Sequence, residues 1–345
     1  MKNLTTEEKI IKNHTNKKGK IYWKGISYLE ELSEEFIEKY KDKLDWALVS
    51  MDQILSESFI ERNQDKISWN EASEFQILSE AFIEKHKDDV EWSNISCSQK
   101  LSEAFIEKYK DKINWSGISE FQILSEAFIE KYKDKVNWDL ISGSQKLSES
   151  FIEKYKDKLD WRAISINEGL SESFIEKYKD KVDWYIISQC QKLSESFIEK
   201  YKDKVNWGAI STSQKIKLSE SFLRKFKDKI DWNGISWNYN LSESFIEEFK
   251  DKVIWRGISW KQRLSESFIE KYKDDVYWEY ISKYQILTED FIIKMQKYIV
   301  FKELNSDVIT PKIINECYNN IKSVDKRKLK NKEVLPEIKL YYEVK

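Results

Sequence analysis

The chain has 345 residues, of which 35% are charged and 14% aromatic, with two Pro and eight Gly. That is too aromatic for a disordered polymer and too poor in turn residues for an all-β domain, which leaves helices. With 59 basic against 61 acidic residues the net charge is −2, so nothing global selects a nucleic-acid or anionic-membrane partner. Cys97, Cys190 and Cys317 lie far apart without Cys-x-x-Cys spacing, which argues against a disulfide framework or a zinc site and fits a reducing compartment.

Residues 1–22 read as an N-terminal cap. Met1 to Glu8 has no apolar signal core, and no later stretch approaches the length of a membrane span, so a soluble, cytoplasmic chain with no membrane partner is expected. Leu4-Thr5-Thr6-Glu7-Glu8 looks like an eroded version of a Leu-Ser-Glu start that recurs further on, and Asn13 to Lys20 reads as a polar loop.

From 23 to 299 the sequence is a tandem repeat. Leu-Ser-Glu, once Leu-Thr-Glu, begins at Leu32, Leu55, Leu78, Leu101, Leu124, Leu147, Leu170, Leu193, Leu218, Leu241, Leu264 and Leu287; ten of the eleven steps are 23 residues. The step from Leu193 to Leu218 is 25, its two additional residues falling in Ser213-Gln214-Lys215-Ile216-Lys217. Trp recurs in register from Trp23 to Trp278. A fixed period of this length means stacked structural units.

In the repeat Trp138 to Asp160, Ser148 is a suitable N-cap, Glu149 suits the positive helix end, and Leu147 can close over Ile152. Lys154, Lys156 and Lys158 favour a C-terminal end, which predicts a helix of two to three turns. Asp160 caps a second, shorter helix beginning at Trp161. On the Trp helix, Trp138, Ile141, Ser142 and Gln145 share an inward face; Phe151, Ile152, Tyr155 and Leu159 form the matching stripe. One hairpin cannot offset its own ordering entropy, so stacking must supply the remainder. The fold class is all-α: a right-handed-type α-solenoid of about twelve short helical hairpins with degenerate caps. Stacked at about 10 Å per repeat, it would make a curved rod on the order of 120 Å.

Residues 300–345 read as a C-terminal cap and basic tail. Phe301 and Leu304 begin a thirteenth repeat that fades, Thr310-Pro311 starts a closing helix through about Ile321, and Lys326 to Lys332 is a basic run that reads as a solvated tail, with an interaction patch as the alternative.

The pattern Leu-Ser-Glu-x-Phe-Ile-Glu-Lys-Tyr-Lys-Asp-Lys-Val-Asp-Trp-x-x-Ile-Ser, clearest from Leu170 to Ser188, resembles a tandem repeat of uncharacterised proteins of giant viruses, phages and low-GC bacteria. The resemblance covers about Trp23 to Ile299. It implies a viral or phage origin and a host-directed binding role, and carries no catalytic residue.

An enzyme needs one asymmetric constellation, whereas these residue types return in every repeat. His14 sits in the polar loop and His86 stands where Tyr109 and Tyr132 stand in other repeats, so His86 reads as a core substitute. Paired glutamates such as Glu149 and Glu153 recur and read as structural, and Gln53, Gln76, Gln99, Gln122, Gln145, Gln191, Gln214, Gln262 and Gln285 read as inter-repeat hydrogen-bonding groups. No catalytic, cofactor-binding or metal-ligating residue is expected, and no cofactor. Counting Trp as the first place, the second, third, sixth and seventh places vary and form the predicted outer face. That face carries Phe75, Phe121, Tyr185, Trp237, Trp260, Tyr280 and Tyr284, more aromatic than a solvated face requires. The expected function is a non-enzymatic scaffold binding a protein partner through this face. A modular nucleic-acid reader is the alternative, weakened by the balanced charge of each repeat.

Overall fold

The structure is a computed structural model that describes residues 5–213, 215–305 and 308–317. Among the described residues there are 26 α-helices, one 3-10 turn and no strand beyond an isolated bridge between Thr15 and Ile21. Each repeat contributes a Trp helix, such as Trp115–Phe121, and a Glu helix, such as Glu126–Lys131. Neighbouring Trp helices pack side by side in a solenoid-like row, Trp46–Asp52 against Trp69–Phe75 and that helix against Trp92–Ser98. The chain divides into two compact units, one ending at Asn167 and the other beginning at Glu168.

Local chemistry sets the helix ends. The Ser125 hydroxyl accepts from the Phe128 amide at 3.1 Å and starts the Glu helix, while the Asn114 side chain accepts from Ser116 and Gly117 amides to start the Trp helix. The Glu helix is shorter than the sequence predicts, at six residues against seven for the Trp helix. After it, the Lys135 and Val136 amides both return to the Tyr132 carbonyl, at 2.8 and 3.0 Å, so the chain turns and brings Val136 back into the core. Of the lysines expected to finish the helix, Lys154 does end it, whereas Lys156 and Lys158 lie on this exposed turn.

In most repeats two isoleucines have no exposed surface, for example Ile118 on the Trp helix and Ile129 on the Glu helix, and Phe128 is buried beside them. The repeating tryptophans differ from the expectation that they are enclosed between repeats: all are half-buried. Trp138 lies 4.8 Å from Tyr155 and 6.4 Å from Phe151, ring to ring, and the Lys158 ammonium stands 5.2 Å over its face. All four residues belong to one repeat, so the indole clamps the two helices of its own hairpin. Its Nε1–H needs an acceptor and donates to the Lys133 carbonyl at 2.9 Å in the exposed turn just before it, which holds one indole edge at the surface.

The contact between repeats is made by Ile, Ser and Gln. The Gln122 side-chain amide donates to the carbonyls of Ser96 at 3.0 Å and Gln99 at 2.7 Å, and its oxygen accepts from the Leu101 amide at 3.0 Å. All three partners belong to the preceding repeat, and Gln53, Gln76, Gln99 and Gln145 repeat the arrangement. The Ser96 hydroxyl donates to the Trp92 carbonyl and accepts from the Asn114 amide, at 2.6 and 2.9 Å. Glu103, first residue of its helix, accepts from the backbone of Ser125 one repeat on, at 2.6 Å. The recurring Gln, Ser and leading Glu thus have structural partners, and among the described residues no buried side-chain nitrogen or oxygen lacks one.

The first repeat has Glu30 at the Gln place, and two later repeats also depart from this scheme. Glu168 stands at the usual Gln place, followed by Gly169 at φ +90, a backbone conformation suited to glycine, and the division between compact units falls here. After the 25-residue step, Tyr239 takes the Gln place, and its longer side chain donates to the carbonyls of Ile210 and Ile216 at 3.1 and 3.3 Å. Ile216, an inserted residue, is itself buried. Gln214 lies outside the described residues.

Short capped helices stand near both ends of the described residues. Thr5 caps the helix Thr6–Asn13 in a capping box with Glu8, and Thr310 caps Pro311–Glu316. Phe301 and Leu304 are buried around the 3-10 turn Phe301–Glu303. The predicted continuation of the closing helix to Ile321 and the basic run Lys326 to Lys332 lie outside the described residues.

Two predictions test these ladders. Gln122→Ala strands three backbone groups and is expected to cost about 3 kcal/mol in urea unfolding, whereas Trp138→Ala, at a half-buried clamp, costs about 2 and the exposed Ser98→Ala less than about 0.5. Burial pushes the Tyr239 hydroxyl up from its ordinary value to about 12. Between about pH 10 and 12 the folded chain therefore holds a proton that the unfolded chain has lost, so this contribution is complete below 10 and falls as pH rises through the window. Wild type should lose on the order of 2 kcal/mol relative to Tyr239→Phe across that range; parallel alkaline denaturation curves for the two would contradict it.

Candidate interaction surface

The recurring Trp, Ile, Phe and Gln are taken up in packing, so the variable places of the Trp helices are the candidate surface. These do not form one uniform outer face. The second and seventh places are exposed in most repeats, but the third lies in the contact between adjacent Trp helices. A methyl group added at Gly234 would come within 2.9 Å of Thr212 Cγ2 and 3.0 Å of the Ser211 carbonyl, so the helices approach closely enough there to favour small residues. The predicted outer face is corrected accordingly: residues at the third place are packed or half-buried, including Tyr280.

Of the seven aromatic residues singled out by the sequence, four come together in the second compact unit. Trp237 and Trp260 have ring centroids 5.5 Å apart, Trp260 meets Tyr284 edge to face at 6.2 Å, and Tyr284 lies 6.0 Å from Tyr280. They stand on three consecutive helices, Trp232–Asn238, Trp255–Lys261 and Trp278–Tyr284. Trp260 and Tyr284 keep about half their surface exposed, while Trp237 is half-buried. The Arg256 guanidinium donates to the Tyr280 hydroxyl at 3.0 Å. Tyr185, on Trp184–Cys190, is exposed and joins none of these ring contacts. In the first compact unit Phe75 and Phe121 are exposed on Trp helices separated by Trp92–Ser98.

The strongest apolar exposure was missed by sequence reasoning. Ile54, Ile77, Ile123 and Ile286 occupy the ninth place, directly before Leu-Ser-Glu, and each is at least 90% exposed. An Ile beside Leu reads as core. The available signal was that the same place holds Lys in other repeats, as Lys100, Lys146 and Lys192, which only an exposed position tolerates. Isolated exposed apolar residues are ordinary, but a branched side chain left in water at one edge of several repeats is a pattern.

Charges elsewhere interdigitate. Lys131 pairs with Glu107 at 2.5 Å and Lys112 with Asp88 at 2.8 Å, each across adjacent repeats, and Lys108 pairs with Glu84 in the same way. Hydrogen bonds from the next repeat's lysine hold the Glu107, Glu130 and Glu176 carboxyls below the usual carboxylate range. These exposed pairs add little stability each, but they break up any continuous basic track.

His86 occupies the Tyr place as expected: it is buried, its ring 4.7 Å from Trp69 and 4.6 Å from Phe82. Its nitrogens meet Glu61 at 2.9 Å and Asp89 at 3.2 Å. His14 pairs with Glu30 at 2.9 Å. Among the described residues no group of three or more His, Cys, Asp or Glu is placed to hold a metal ion, and no helix is long and apolar enough to cross a membrane. Comparison with protein-family models, with curated proteins and with solved structures finds no match to this chain.

Proposed function

We propose that the chain is a non-enzymatic repeat scaffold that binds a protein partner through the exposed edge of its Trp helices and their connectors. The observation that carries this reading is the division of labour within each repeat. The recurring Trp, Ile, Phe, Gln and capping Ser side chains are bound into the hairpin or its neighbour, while large apolar groups stand in water at the seventh and ninth places, as Phe75, Ile77, Phe121 and Ile123 do. Burying such groups against a partner removes apolar surface from water, and aromatic residues are favoured anchors. Interdigitated Lys–Glu and Lys–Asp pairs weigh against a nucleic-acid reader, which needs a track of cations for phosphates. The resemblance to viral and phage tandem-repeat proteins supplies the setting: a factor acting on a host protein in the host cytoplasm.

The test uses the substitution that the repeat itself permits. Changing Ile54, Ile77 and Ile123 together to Lys, the residue found at the ninth place of other repeats, should leave stability within about 1 kcal/mol. The same variant should fail to retain the nuclease-resistant protein captured by the wild-type chain from native lysate. Retention undiminished in the variant, or cargo that disappears on nuclease treatment, would overturn the reading.

A further inference from the structure

We propose that the ridge around Trp260, in the second compact unit, docks an acidic peptide segment carrying aromatic or proline side chains. This deepens the protein-binding reading and rests on it. Arg256 and Trp260 are four residues apart on one helix and so neighbours on its surface, Lys261 follows, and Arg263 stands at the exposed ninth place. In a protein whose lysines are widely paired between repeats, none of these three cations makes an ion pair with a described carboxylate. Arg256 is held by the Tyr280 hydroxyl, which fixes its planar group without neutralising it. Among the three helices that carry the aromatic rings, the one carboxylate is Glu279.

The ridge therefore joins a continuous aromatic surface to an excess of positive charge, three cations against the single Glu279 carboxylate that acts on Arg256, and the complementary ligand brings carboxylates beside flat apolar groups. Two features favour a peptide over a single-stranded nucleic acid. The rings contact one another at 45° and 88° rather than offering parallel faces spaced for successive bases. The free cations also belong to one repeat: the preceding one has Asn233, Asn238 and Asn240 at the second, seventh and ninth places, so a phosphate backbone would leave its track within a single step. A short peptide with a few acidic residues would not.

The test is fluorescence anisotropy on the full chain at low salt, with a labelled peptide alternating Asp with Trp and Pro. The controls are the same peptide with Lys for Asp, and a labelled oligothymidylate. The Asp peptide should bind in preference to both, weaken with added salt, and lose at least about tenfold in affinity with Trp260→Ala and with the pair Lys261→Glu and Arg263→Glu. The charge-reversed pair should now prefer the Lys peptide, a gain that misfolding cannot produce. Equal binding of the Asp and Lys peptides by wild type, tighter binding of oligothymidylate, or unchanged affinity in the charge-reversed pair would each sink the proposal. The ninth-place isoleucine variant, altered in the other compact unit, should still bind the Asp peptide. Failure of the scaffold reading therefore appears as unchanged partner retention in that variant, and failure of this one as unchanged peptide affinity in the charge-reversed chain.

Discussion

The structure depends on one side-chain amide in most repeats. The passage from the last turn of the Trp helix to the Leu of Leu-Ser-Glu leaves two carbonyls and an amide inside the molecule, and buried backbone groups must find partners. The hairpin that owns them has none to offer. A glutamine from the following repeat supplies both donors and the acceptor, as Gln122 does for Ser96, Gln99 and Leu101. A lone hairpin is therefore incomplete in hydrogen bonding as well as in apolar burial, and stability accrues through nearest neighbours.

Once that amide is in place, the remaining recurrent residues have narrow duties. Ile118 and Ile129 fill the dry interior, Ser119 stitches one Trp helix to the start of the next through the Asn137 amide, and Glu126 reaches the amide of Ser148. The aromatic triad of Trp138, Phe151 and Tyr155 works within the hairpin and sets the angle at which its helices meet. What is left over is a set of edge positions that carry no structural obligation, and the proposed recognition falls there.

Much of this was legible in the sequence. The period, the Ser and Asn or Asp caps, the buried Ile and Phe and the bonding role of Gln all follow from spacing and residue chemistry. Three things did not. Tyr-Lys-Asp-Lys has helical propensity that masks the turn, because the reason for turning is the distant burial of Val136 or its counterpart. Periodicity counts an indole as core whatever its N–H requires, and so overstated the burial of Trp138. Of the seven outer aromatic residues, Trp237, Trp260, Tyr280 and Tyr284 formed a cluster because their helices are consecutive, whereas the nearly naked Ile54, Ile77, Ile123 and Ile286 were hidden by their apolar neighbours in the sequence.

The exchange of bonds between identical junctions has a genetic consequence. Losing or gaining any multiple of 23 residues recreates the same junction with the same partners, so near-identical stretches of the coding sequence can recombine without damage to folding. A step of 25 residues needs its own adaptor, and Tyr239, reaching across to Ile210 and Ile216, serves as that adaptor. The number of hairpins and the chemistry displayed on each can therefore evolve separately, the first by unequal crossover and the second by point substitution at the edge.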